Sequence, residues 1–345
     1  MRANLREHQS TAYVLRQLAL GADRDVPLVD IARLVAADAF DRDASRFATQ
    51  LVARLEGNGS LAAALGTMDG AFPAGTIALL EHGEANRRLA PVLRLLAADI
   101  ERAGEMRARL GSVLFLPLSS LGFSLLVVAL CMIFVIPAFK QVFASFGADL
   151  PGPTLLVIAV SDLFVEWWWI TLPLIAALFV PRVRRKLGLG AFFESALNRL
   201  PITGGALRKV ALARLTATLA DALRHDVPVA LVLRHLADSS GSFTLAGWGR
   251  DIAARLDTRR PVEAAVREAA QVPRALAMAV DIGTRTDSLG TVLAEAAAIF
   301  DEAASRSAAA MRQLAFYLAY AVVGSVIGMM VFAMYLPIFK LGSVI

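Results

Sequence analysis

The chain has 345 residues and a net charge of +5. Apolar residues make up 57% of it and charged residues only 19%, and the mean hydropathy is positive; this excludes an ordinary water-soluble globule and points to a membrane protein. The lone cysteine, Cys131, excludes an intrachain disulfide framework or a Cys-based zinc site and reads as a small packing residue.

Residues 1–20 carry Arg2, Arg6, Glu7 and Arg16 and have no unbroken apolar core, so they do not read as a signal peptide. From there to residue 112 alanine and leucine dominate, both strong helix formers, with apolar residues three and four apart as in Leu51, Leu55 and Leu61, Leu65. The breakers Gly57-Asn58-Gly59, Phe72-Pro73 and His82-Gly83 divide this first domain, 1–112, into about four to six helices. At about 100 residues it is large enough to bury a modest core.

Residues 113–139 contain no charge and would extend roughly 40 Å as a helix, more than the ~30 Å of a bilayer core. This first span closes with Val135-Ile136-Pro137-Ala138-Phe139-Lys140. A short segment, 140–163, follows. The next apolar stretch holds Asp162 and Glu166 ahead of Trp167-Trp168-Trp169, and consecutive tryptophans belong at a membrane interface. That places the second span at 164–181, with both carboxylates at or outside the headgroups.

The basic run Arg182, Arg184, Arg185 and Lys186 opens the region 182–312, a linker and second helical domain broken at Val227-Pro228, Arg260-Pro261, Val272-Pro273 and Ile282-Gly283. A third uncharged span, 313–339, ends in Tyr335-Leu336-Pro337-Ile338-Phe339-Lys340 before a tail, 340–345. Arginines precede the first span and the third and follow the second, so by the positive-inside rule the N-terminus and 182–312 face the cytoplasm. The short segment and the C-terminus then face outward. The positive charge is a topology signal; a nucleic-acid surface would need basic residues interleaved with aromatics on a soluble face.

The two span endings belong to a longer repeat. Asp25-Val26-Pro27 matches Asp226-Val227-Pro228, and Ala53-Arg54-Leu55-Glu56 matches Ala254-Arg255-Leu256-Asp257, at an offset of 201. From Pro73 and Pro273 the offset is 200, placing Glu81-His82-Gly83 on Asp281-Ile282-Gly283 and Leu89, Val92 and Leu93 on Leu289, Val292 and Leu293. The chain is a duplicated unit of one polar region and one span.

Chemistry is sparse. There is no Gly-rich phosphate loop ending in Gly-Lys-Ser/Thr, and no histidine lies in a span to activate Ser119, Ser120 or Ser124. Glu81, His82 and Glu84 cannot all face one metal on a helix, and His225 and His235 have no ligand spacing. No catalytic, cofactor or metal residue is assigned. Glu84 reads either as a surface carboxylate that docks a partner or as a charge in the first turn of the helix through Leu89 and Leu96, at the positive end of its dipole. Pro137 and Pro337 read either as terminators or as kinked exits that shape a groove between spans, with Phe139 and Phe339 at the interface.

The order of parts resembles the inner-membrane platform proteins of type II secretion systems and type IV pili. Pro137-Ala138-Phe139 followed by Leu150-Pro151 and Thr154 is similar to that family's Pro-x-Phe and Leu-Pro-x-x-Thr. Leu80-Glu81-His82-Gly83-Glu84 with Leu89 and Leu93 is similar to its Gly-Glu-x-x-Gly-x-Leu, and Pro337-Ile338-Phe339 to the end of its last helix. Two departures stand out: Gly83-Glu84-Ala85-Asn86-Arg87 lacks the second glycine, and Gly283-Thr284-Arg285-Thr286-Asp287 lacks the glutamate as well. The first domain's early start is more similar to the type IVb and conjugative pilus versions.

The resemblance implies an all-α polytopic inner-membrane protein with two homologous cytoplasmic helical-bundle domains and three transmembrane helices. It implies a non-enzymatic platform without cofactor, metal or nucleic acid. Its partners would be a cytoplasmic assembly ATPase, a pilin or pseudopilin, other inner-membrane assembly proteins, membrane lipid and further copies of itself as a homo-oligomer. The partner-contact candidates are Glu81, Gly83, Glu84, Asp281, Gly283, Pro137, Phe139, Pro151, Thr154, Pro337 and Phe339. A transporter subunit and a membrane-tethered signalling scaffold are the alternatives; the first usually places polar groups at midmembrane depth, where the first and third spans here hold only hydroxyls and glycine.

Overall fold

A computed structural model of the chain describes residues 2–38, 41–68, 72–145, 152–179, 201–240, 242–258, 260–269 and 272–342. These are helical, with no strand among the described residues. The first copy supplies α1 (Arg2–Ala22), α2 (Leu28–Asp38), α3 (Arg42–Asn58), α4 (Leu61–Gly66), α5 (Ala74–Ala85) and α6 (Leu89–Leu130). A π-helical turn, Cys131–Val135, then leads into α7 (Ile136–Ser145), and α8 spans Gly152–Phe179. The second copy supplies α9 (Pro201–Arg224), α10 (Val229–Ser239), α11 (Phe243–Asp257), α12 (Val262–Glu268), α13 (Arg274–Arg285) and α14 (Leu289–Gly342).

The repeat read from the sequence is a repeat of turns as much as of helices. Asp25 and Asp226 share a left-handed backbone with φ of 54° and 48°, and so do Arg87 and Asp287 with 54° and 50°. Each left-handed residue closes the C-terminus of a helix: Val26 N–H donates to the Gly21 carbonyl and Val227 N–H to the Ala222 carbonyl, and Arg88 and Ser288 donate to Gly83 and Gly283. Helix starts are capped locally. Ser60 accepts from Ala63 N–H and Ser242 from Leu245 N–H, while Pro73, Pro228, Pro261 and Pro273 each stand just before a helix.

The chain divides into two units. One comprises Met1–Leu110 and Pro201–Ser307, the other Gly111–Leu200 and Ala308–Ile345. The sequence offers each polar region a core of its own, but in the first unit both regions share one continuous core. It runs from Val14, Leu15 and Leu18 through Leu79, Leu93 and Leu96 to Leu215, Leu236, Trp248 and Leu276. The joint is made by α5 of the first copy packing on α10 of the second. Gly75 permits this contact: a Cβ there would meet the Arg234 carbonyl and the His235 nitrogen at 2.8 Å, which no side chain tolerates.

In the second unit, Val128, Met132 and Ile136 pack with Val157 and Ile158 of α8 and Met330 and Ala333 of α14. Among the described residues two helices are long and apolar enough to cross a membrane, Ser120–Gln141 and Leu289–Leu336. The expected second span is not marked off in the same way. Helix α8 already begins at Gly152, most of 140–163 is helical, and a non-helical residue, Trp167, breaks α8 beside Glu166. Leucine, valine, isoleucine and alanine from 155 to 160 favour that earlier start, and Asp162 is neutralised by Lys140 Nζ at 2.7 Å.

Candidate functional site

A buried polar network sits where the two copies meet in the first unit. Asp99 on α6 is fully buried and receives Arg214 of α9 through two bonds, Nε at 2.8 Å and Nη2 at 2.6 Å. His235 Nε2 lies 3.1 Å from the same carboxylate, and Thr218 Oγ1 donates to it at 3.3 Å. The other ring nitrogen of His235 meets Thr76 Oγ1 of α5 at 2.8 Å. Burial alone would push the Asp99 carboxyl up, but the Arg214 charge and the hydrogen bonds from Arg214 and His235 outweigh it and hold the group well below the usual carboxylate range. Burial likewise works against the Arg214 cation, and Asp99 more than restores it.

This site joins the repeats. Arg214, His235 and Thr218 enclose the carboxylate, and among the described residues no three His, Cys, Asp or Glu side chains could hold a metal ion. Around it, Arg102 pairs with Asp221 at 2.5 Å, Arg88 with Asp226 at 3.3 Å, and Gly75 N–H with Asp238 at 3.2 Å. The sequence carried one signal for it: Asp99 and Arg214 sit within apolar helical stripes, and their repeat counterparts are Ile299 and Tyr13.

The sequence-derived residues fall differently. Glu84 is in the last turn of α5, because the helix continues to Ala85 and the break comes at Asn86 to Arg88. It does not lie in the first turn of the helix through Leu89; it caps another helix, accepting from Leu61 N–H at 2.5 Å and Ser60 Oγ at 2.7 Å at the start of α4. Gly83 and Gly283 are buried against the next helix, where a Cβ would meet the Leu89 and Leu289 Cα atoms at 3.3 and 2.7 Å, so both positions are fixed by packing. Glu81 is exposed, and Asp281 accepts from Arg267 at 3.0 Å.

In the second unit Pro137 does not terminate its helix. The π turn ahead of it shifts the hydrogen-bond register, and α7 runs on to Ser145. Ser161 Oγ takes up the Met132 carbonyl at 2.5 Å. The backbone of α14 likewise continues past Pro337 and Phe339. A water-sized cavity remains, lined by Ile136, Phe139, Lys140, Thr154, Val157, Ile158, Ala333 and Met334. Thr154 is buried there and donates to the Ala333 carbonyl at 2.7 Å, tying α8 to α14. Pro151, Arg182, Arg184, Arg185 and Lys186 lie outside the described residues.

Two copies of one helical pattern, each ending in a long apolar helix, correspond to what known proteins show. The profile described as "Type II secretion system (T2SS), protein F" matches residues 14–137 and again 215–337. The chain belongs to this family. The two matches fall on the two copies, so each copy is one instance of the family domain. Among its relatives, the type IV pilus assembly protein TapC of Aeromonas hydrophila is 27% identical over 97% of this chain and 82% of its own length. The type IV pilus assembly protein PilC of Pseudomonas aeruginosa is 25% identical over 97% of this chain and 90% of its own length. The type II secretion system protein F of Pseudomonas aeruginosa is 31% identical over 77% of this chain and 64% of its own length.

Proposed function

We propose that this protein is a non-enzymatic inner-membrane platform of a type IV pilus or type II secretion machine, coupling a cytoplasmic assembly ATPase to the insertion of pilin or pseudopilin into a fibre. The observation that carries the reading is the double family match, with each copy continuing from polar helices into a long apolar helix, α6 or α14. In this reading three helices cross the membrane, 113–139, 164–181 and 313–339. The N-terminus and 182–312 are cytoplasmic, and the short segment and C-terminus periplasmic.

The mechanism is one of differential binding. Hydrolysis yields displacement only if the platform binds two motor states with different affinity. Exposed carboxylates such as Glu81 are available to a motor, and the unbroken helices α6 and α14 carry a movement of the polar helices toward the bilayer. Deleting the gene and restoring it in trans tests the reading: surface fibres or secreted substrate vanish and return. Unchanged fibre counts and unchanged secretion in the deletion strain refute it.

A further inference from the structure

The contact between the two copies is heterologous, because α5 and α6 of the first copy meet α9 and α10 of the second while the corresponding pair is left open. The open faces are α13 and α14 at one end and α1 and α2 at the other. Residues equivalent to the buried network occupy both. Ile299 stands where Asp99 stands, Tyr13 where Arg214 stands, Leu34 where His235 stands, and Leu20 where Asp221 stands. All four are exposed: Ile299 by 62%, Leu34 by 67%, Leu20 by 43% and Tyr13 by 36%. Met278 and Ile282, on the α13 stripe equivalent to the α5 stripe of Gly75, add 66% and 43%.

We propose that α13 and α14 of one chain dock on α1 and α2 of a second copy of this chain, repeating between chains the contact that α5 and α6 make with α9 and α10 within one. The substitutions are mutually consistent. A buried Asp, Arg and His cluster in the internal joint becomes Ile299, Tyr13 and Leu34 in the external one, so each set would be polar with polar or apolar with apolar. The tight approach at Gly75 is absent because its counterpart is Ala275, and the wider gap that a methyl imposes is matched by the larger side chains Met278, Ile282 and Leu34. Exposed apolar side chains clustered in this way mark an interaction surface. A heterologous contact leaves one free face at each end of every assembly and closes only as a ring.

The proposal does not depend on which machine the chain serves, and its test is separate from the fibre count. In full-length protein carrying Cys131→Ser, Ile299→Cys and Leu34→Cys are made as two single variants and oxidised in detergent or lipid nanodiscs, alone and mixed. The contact predicts a disulfide-linked species of twice the chain mass in the mixture and none in either variant alone. Linkage within a single variant would show an isologous contact and overturn the proposal, as would no linkage in the mixture. Ile299→Asp provides a second reading: light scattering should show a fall in assembly mass with an unchanged melting temperature. An unchanged mass, a monomeric unsubstituted chain, or loss of ATPase binding with self-association intact would assign the face to another partner or to none.

Discussion

Replacing Asp99 by Asn removes the carboxylate that the structure sets against Arg214, whose side chain is 8% exposed. Removing one member of a buried ion pair costs about 3–5 kcal/mol, mostly the penalty of leaving the other charge unpaired in a poorly solvated place. Arg214→Met leaves the Asp99 carboxylate in the same position and costs a similar amount. Replacing both, as Asp99→Leu with Arg214→Met, takes both charges out of the interior, and such swaps are often neutral or stabilising. Here part of the loss remains, because His235 Nε2 loses its partner, at about 1–3 kcal/mol for a group left unsatisfied, whereas Thr218 keeps its bond to the Arg214 carbonyl. For a unit of this size each kcal/mol moves the melting temperature by about 2–4 °C, so either single variant should melt roughly 6–20 °C lower. Trp248 is buried in this unit, and its fluorescence, isolated by changing Trp167, Trp168 and Trp169 to Phe, reports the unfolding of the full chain in detergent. A double variant that loses the sum of the two single losses would show no coupling between the residues and refute the reasoning.

Three further outcomes follow from other contacts. Glu84→Ala should cost about 0.5–2 kcal/mol by uncapping α4, and Glu84→Gln less since it keeps an acceptor; equal losses measured by chemical denaturation would count against the cap. Thr154→Val should weaken the association of α8 with α14 by about 0.6 to 1.7 kcal/mol, read by steric-trap unfolding in bicelles, and an unchanged value would mean that the hydroxyl bond carries nothing. Acid should separate the unsubstituted protein from Asp99→Asn. The folded carboxyl lies below its ordinary value of 3.8, so its stabilisation is complete above that pH and is lost progressively as pH falls from there through the lower folded value. The stability curve of the unsubstituted protein should therefore drop more steeply below about pH 4 than that of Asp99→Asn, and parallel curves would contradict the assignment.

Much of the architecture was legible because it rests on signals a sequence displays directly. Uncharged runs mark the long apolar helices, and breakers at matching offsets mark the duplication. What was hidden depends on contacts between distant segments. Periodicity identifies a buried face and not what covers it, so the single core shared by the two copies could not be read from either copy. The left-handed turn at Arg87 has no glycine to announce it, which is why α5 was expected to end before Glu84. Pro137 read as a terminator as well as a kinked exit because the π turn that accommodates it leaves no mark in composition. Of the candidate residues, Thr154 and Glu84 lie at points of contact between helices, and the buried joint of Asp99, Arg214 and His235 emerged only from the fold.

The central claim is that the polar helices couple a motor to the membrane. Because the two polar regions share one core, the claim calls for the whole chain rather than fragments. The full-length protein, purified in nanodiscs and mixed with the assembly ATPase of the same cell, should retain the motor on size exclusion with an affinity that differs between its ATP-analogue and ADP states. Equal affinity in both states, or no binding at all, would contradict the account.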